Sequence, residues 1–194
     1  MIYYFVYFLT KAVSFFLFPF TAFGTENIPR QGGFILASNH VSNLDPVVLG
    51  ISSVRRVNFM AKAELFKKQP LGFILTELSS FPVRRDTADF GALKEGLKRL
   101  KKGQPVLIFV EGTRRVGSEP SRAQSGAGFL AMKANVPVVP VYVKGTEKVM
   151  PPRSKTLTRG RVEVTYGKPF TVSDASSYEH ASQLILDQIY KLAP

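Results

Sequence analysis

The chain has 194 residues and no cysteine, which is enough length for one domain with a real core and excludes disulfides, thiolate metal sites and a thiol nucleophile. Hydrophobic residues make up 45% and charged residues 21%, a globular balance that excludes a disordered chain. A formal net charge of +12 points to an anionic partner: membrane lipid, nucleic acid or an acidic carrier protein.

Residues 1–23 carry a single charge, Lys11, among Phe, Tyr, Leu and Val. As one helix they would be about 35 Å long, against ~30 Å of bilayer hydrocarbon. The apolar run starts at Ile2 with no basic segment before it and no clear cleavage site after it, so it does not read as a cleaved leader. Tyr3, Tyr4, Tyr7, Thr10, Lys11, Ser14 and Thr21 recur at three- and four-residue steps and form one weakly polar stripe. Ile2, Phe5, Phe8, Leu9, Ala12, Phe15 and Phe16 lie opposite. This pattern predicts a membrane-associating helix over 1–23. It would lie in the bilayer interface, with its tyrosines near headgroups or docked on the domain. A single span and a helix buried in a core are the alternatives. An apolar helix and a basic surface together supply the two signals that stable anchoring requires.

Residues 24–33 read as a connector and 34–37 as a short buried strand, with His40 just beyond it. Asp45-Pro46 resembles a helix start, because proline suits the first helical position and biases its predecessor away from helix. On a continuous helix His40 and Asp45 would lie about 140° apart. A strand, loop and cap instead lets the carboxylate fold back, so Asp45 is expected both to cap the helix and to accept an imidazole N–H. Residues 56–60 read as a strand, 63–78 as helical pieces broken at Pro70 and Gly72, and 80–83 as a short strand. Asp86 or Thr87 is expected to cap a helix with Phe90, Leu93, Leu97 and Leu100 on one face and lysines on the other. A buried strand over 105–110 ends at Glu111, and 127–134 looks helical. Residues 136–143 carry the strongest strand signal, although Pro137 and Pro140 argue for an edge or a strand start. Residues 148–161 form a basic loop, 161–166 a strand, and 177–192 a terminal helix with Leu184, Ile185, Ile189 and Leu192 inward. Strands alternating with helices predict an α/β fold: a mixed, largely parallel sheet flanked by helices.

The chemistry-bearing residues fall at strand ends. Imidazole is the one side chain whose unshifted pKa lies near neutrality, so His40 can take a proton from a hydroxyl and later release it. Asp45 can fix its tautomer and stabilise the charged ring. Glu111-Gly112-Thr113-Arg114 sits where α/β folds place ligands. Gly112 lets a backbone N–H approach an anion, Thr113 adds a hydroxyl, and Arg114 offers a planar fork for phosphate oxygens. Glu111 can accept from a substrate hydroxyl or fix an arginine. Ser42, beside His40, is a conceivable acyl carrier ranked below direct transfer. No nucleoside triphosphate loop, Gly-x-Ser-x-Gly elbow or histidine pair at metal spacing occurs, so neither a serine hydrolase nor a zinc site is expected.

In these blocks the chain resembles the 1-acylglycerol-3-phosphate acyltransferases and the wider glycerolipid acyltransferase group. That group carries Asn-His-x4-Asp, matched by Asn39, His40 and Asp45, and Glu-Gly-Thr-Arg, matched by Glu111 to Arg114. Phe81, Pro82, Val83 and Arg85 match a third block, and the Val-Pro-Val-Val-Pro-Val run at 136–141 a fourth. Arg84 departs from an acidic or amide residue of the third block, and Gln124 stands where many relatives have Lys. The resemblance implies an acyltransferase domain over 24–194, with His40 as general base, Asp45 orienting it, and Arg85 and Arg114 gripping an acceptor phosphate. It implies acyl transfer from an acyl thioester to the free hydroxyl of lysophosphatidate, giving phosphatidate, or the same chemistry on glycerol 3-phosphate or another lysophospholipid. It implies no cofactor and no metal, with acyl-CoA or acyl-acyl carrier protein as co-substrate. Membrane lipid is the expected partner, nucleic acid is not, and the expected place is the cytoplasmic face of the plasma (inner) membrane. A reading of a different class, a membrane-tethered nucleic-acid-binding module, rests on charge alone. Against it, the basic residues are dispersed and the aromatics concentrate near the N-terminus.

Overall fold

The computed structural model describes residues 2–84, 89–114, 122–152, 154 and 156–194. Arg85 and the caps expected at Asp86 or Thr87 lie outside them. The order of elements is α1 (Ile2–Leu17), β1 (Phe20–Phe23), β2 (Ile35–Ser38), α2 (Asp45–Ser52), β3 (Asn58–Lys62), α3 (Ala63–Phe66), α4 (Leu71–Glu77), β4 (Phe81–Val83), α5 (Phe90–Lys101), β5 (Val106–Phe109), α6 (Gly126–Ala134), β6 (Val138–Lys144), α7 (Thr146–Val149), β7 (Val162–Tyr166) and α8 (Tyr178–Tyr190).

The strands form one seven-stranded sheet in the order β1-β7-β6-β2-β5-β3-β4. Every pairing is parallel except β6 with β7. The sheet is therefore mixed and mostly parallel, as the alternation of strands and helices predicts. Its central strands are largely apolar because both faces are covered. Along β2, Leu36 packs into one core with Val48 and Leu49 of α2, while Ile35 and Ala37 face the other with Leu130 of α6 and Ile185 and Ile189 of α8. That split is the two-residue period of a pleated strand.

Several boundaries differ from expectation. The N-terminal helix stops at Leu17, and Phe20–Phe23 instead join the sheet edge beside β7. At 16 residues α1 is about 24 Å long, and among the described residues no helix is long and apolar enough to cross a membrane. β6 is interior rather than an edge. Pro140 is tolerated there because its carbonyl, and hence its missing N–H, faces the β7 side at Gly167, just past the end of β7 (Gly167 N–H to Pro140 O, 2.8 Å). The cap of α5 is Asp89, whose carboxylate accepts from Ala92 N–H at 3.1 Å. Phe90, the first residue of α5, is exposed rather than inward. In α8, Leu186 is buried where Leu184 was expected.

The face that α1 turns outward is the apolar one. Phe5, Phe8, Phe15 and Phe16 are between 64% and 73% exposed. The polar stripe docks on the domain: Tyr7 Oη donates to the Ile51 carbonyl at 3.4 Å, and Arg56 lies 4.3 Å over the Tyr3 ring. Tyr4 and Lys11 of the stripe are exposed.

Candidate active site

The loop between β2 and α2 is tied down at both ends. Asn39 is buried and makes two bonds to Val143 of β6, donating from Nδ2 to its carbonyl and accepting its N–H at Oδ1, each 2.8 Å. That clamp fixes the direction in which the chain leaves β2 and carries His40 to the C-terminal end of the central strands.

His40 is 4% exposed, and its Nδ1 lies 2.7 Å from Asp45 Oδ2. A carboxylate only accepts, so Nδ1 carries the hydrogen and Nε2 of the neutral ring keeps its lone pair. Asp45 is fully buried, and Oδ2 also accepts the N–H groups of Val41 and Ser42 at 2.7 and 2.8 Å. Asp45 thus receives the imidazole as expected, but it does not cap α2. Its side chain turns back onto the preceding loop, and Leu44 occupies the cap position without a side-chain bond. Phe109 stacks on the ring with centroids 3.9 Å apart and planes 16° from parallel. One face is therefore shielded and the ring cannot swing freely.

Glu111 is not an open substrate contact. It is 7% exposed, Oε2 accepts the His40 backbone N–H at 2.9 Å, and Oε1 accepts the Tyr190 phenol at 2.6 Å. It supports His40 from behind, in line with a strand end that must hold its neighbour in place. Gly112 adopts φ +71°, where an added Cβ would come within 2.8 Å of Gln124 Cγ, so the tight turn needs glycine. Arg114 donates to Asn43 Oδ1 and reaches a large cavity. Thr113 is exposed and lines neither cavity described below. Ser42 is fully buried; its Oγ donates to the Met150 carbonyl at 2.7 Å and accepts Leu44 N–H at 3.1 Å, which leaves the hydroxyl committed to the loop.

Two cavities meet at His40, Met60 and Phe109. The larger, about 660 Å³, runs between α1, α2 and α4 and is mostly apolar, with Tyr7, Val47, Ile51, Phe59 and Ile74 in its walls and Lys62 and Arg114 as its cations. The smaller, about 250 Å³, is lined by Arg84, Asp89, Gln124, Ser125 and Gly126, at the N-terminus of α6. The N–H groups of Arg84 and Ala92, both bonded to the Asp89 carboxylate, hold its pKa below the usual range. Among the described residues no cluster of His, Cys, Asp or Glu suited to a metal occurs.

Sequence reasoning missed four contributors. α1 walls the large cavity, Phe109 stacks on the ring, Tyr190 reaches Glu111, and Thr146 Oγ1 donates to Asp45 Oδ1 at 2.5 Å. Only the tyrosine stripe of α1 signalled its docking in advance. Arg84, noted as a departure, lines the smaller cavity and is exposed.

The family model described as Acyltransferase matches residues 20–144, a span that holds both blocks around His40 and Glu111. The chain belongs to the acyltransferase family. Among relatives of this acyltransferase is the 1-acyl-sn-glycerol-3-phosphate acyltransferase of Bacillus subtilis, 32% identical over 154 residues, which cover 78% of this chain and 74% of that one. The chloroplastic enzyme LPAT1 of Arabidopsis thaliana is 33% identical, over 78% of this chain and 44% of its own longer length. In structure the acyltransferase is similar to the 1-acyl-sn-glycerophosphate acyltransferase PlsC of Thermotoga maritima, with a TM-score of 0.80 and 27% identity, covering 96% of this chain and 76% of that one. Family membership carries the enzyme reading, not the nucleic-acid-binding one.

Proposed function

We propose that this acyltransferase moves a fatty acyl chain from a thioester to the free hydroxyl of 1-acyl-glycerol-3-phosphate, giving phosphatidate. The observation that carries this reading is the 2.7 Å contact between His40 Nδ1 and Asp45 Oδ2, set where the two cavities meet. Homologous enzymes named for this reaction support the choice of acceptor.

Nε2 takes the hydroxyl proton as the oxygen attacks the thioester carbonyl, and the imidazolium is stabilised by Asp45. The tetrahedral intermediate collapses, the C–S bond breaks, and the thiolate leaves with the proton from the ring. The products are an ester and a free thiol. The apolar cavity receives a fatty chain, and its wall from α1 keeps the chain out of water. Arg84 and Arg114 are cations placed for the phosphoryl end, with Arg85 next to Arg84 in sequence. Gly112 shapes the turn beneath them, and Glu111 fixes the His40 backbone. Thr113 is left as an exposed hydroxyl outside both cavities. No cofactor is required; the co-substrate is acyl-CoA or acyl-acyl carrier protein. The outward phenylalanines of α1, with the +12 charge, dock the enzyme on anionic lipid at the cytoplasmic face of the inner membrane.

The test offers the purified chain lysophosphatidate with each thioester donor, and compares wild type with His40→Ala. Phosphatidate should form, and His40→Ala should lose about 10²- to 10⁴-fold in turnover. A fully active His40→Ala enzyme would remove the assignment. Acylation of glycerol 3-phosphate but not lysophosphatidate would move the acceptor.

A further inference from the structure

We propose that Thr146 is a positioning residue for the His40–Asp45 pair, an inference that rests on the acid–base reading above. Thr146 lies 101 residues beyond Asp45 and just outside the matched family segment. Both side chains are fully buried, and Thr146 Oγ1 donates to Asp45 Oδ1 at 2.5 Å. The other carboxylate oxygen, Oδ2, is taken by His40 and two loop N–H groups. A carboxylate out of water needs both oxygens satisfied, and Thr146 supplies the bond to the one turned away from the ring. With Oδ1 anchored, the carboxylate cannot rotate about its Cβ–Cγ bond and exchange its oxygens.

The seat of Thr146 is itself built. Gly145 before it adopts φ +93°, and an added Cβ there would come within 2.2 Å of the Arg161 carbonyl. Gly145 N–H bonds the Glu147 carboxylate at 2.8 Å, and Val149, three residues on, is fully buried. The stretch from Val143 to Met150 then follows the stretch from Asn39 to Asp45 through three side chains: Asn39 on Val143, Asp45 on Thr146, and Ser42 on Met150. The segment after β6 is therefore a brace laid along the catalytic loop, and Thr146 is its one contact with the acidic partner of the imidazole among the bonds named here. Threonine suits the place because its branched Cβ limits χ1.

The experiment measures kcat and KM for wild type, Thr146→Val, Thr146→Ser and His40→Ala, with melting temperature as a fold check. Thr146→Val should lower kcat about tenfold and leave KM for both substrates near wild type. Thr146→Ser, which keeps the hydroxyl, should recover most of the rate. A raised KM with kcat unchanged, or a serine variant as impaired as the valine one, overturns the proposal and leaves Thr146 a packing residue. With His40→Ala inactive, a wild-type Thr146→Val enzyme removes the Thr146 assignment alone. An active His40→Ala enzyme instead removes the acid–base reading and this inference with it.

Discussion

At His40 one ring nitrogen is committed so that the other is free. Asp45 holds Nδ1, Phe109 covers a face, Glu111 holds the backbone, and Nε2 remains for chemistry. The spacing of His40 and Asp45 was readable because a helix start at Pro46 implies a loop before it. The other three bonds to Asp45 were not, because two come from loop N–H groups and one from Thr146, far along the chain. The same problem hid the role of Glu111. Its neighbours in sequence suggested a substrate contact, while its partners in space are His40 and Tyr190. Asp89 shows how a single carboxylate sets acid sensitivity. Its pKa is lowered first by the Arg84 N–H and next by that of Ala92. A carboxyl group whose folded pKa is depressed adds stability above its unfolded value, near ~3.9, and that stability is lost as pH falls through the folded value. Asp89→Ala should therefore cost about 1 kcal/mol at neutral pH. The gap from wild type should shrink below about pH 3.5. Urea midpoints at the two pH values check this, and a gap that persists in acid would contradict it.

Among the elements, α1 departs most from a soluble helix. A surface helix normally turns its apolar stripe inward. Here α1 packs on α2 and α4 with Tyr3 and Tyr7 half-buried, while phenylalanines point out. The stripe was legible from residue spacing, but the helix end was not. Phe18 to Phe23 continues the aromatic composition, and only pairing with β7 makes a strand of Phe20–Phe23. If the outward face meets lipid, each buried phenylalanine contributes about 1.5–3 kcal/mol to that contact. The double variant Phe8→Ser, Phe15→Ser should then lower partition onto anionic vesicles by more than about a hundredfold. Turnover on detergent-dispersed substrate should change little, since neither residue lines the cavity. Vesicle sedimentation reads the first effect and an assay in micelles the second; unchanged sedimentation would leave the phenylalanines without a lipid role.

The whole molecule joins distant parts of the chain at one place. The alternation of strands and helices was legible, and with it the mixed sheet. The strand order was not, because the prolines of β6 mimic an edge and β1 looks like the end of a helix. The last helix also reaches the site, through the Tyr190 phenol on Glu111. Tyr190→Phe should lower kcat by up to about tenfold, through a less firmly held His40 backbone, without loss of helix content. Steady-state kinetics beside far-UV circular dichroism tests this, and an unchanged kcat would show that α8 only packs. One further consequence follows from the place of β1. Among the described residues its only sheet neighbour is β7, and the nearby Asn27 side chain bonds the Tyr166 carbonyl 139 residues later. At roughly 5–20 residues per second on a ribosome, about 7–30 s separate the emergence of the two. Through that interval the greasy leading helix is tethered to a strand with nowhere to sit. A nascent chain that meets a lipid surface early therefore shields its aromatics while the rest of the sheet is still being translated.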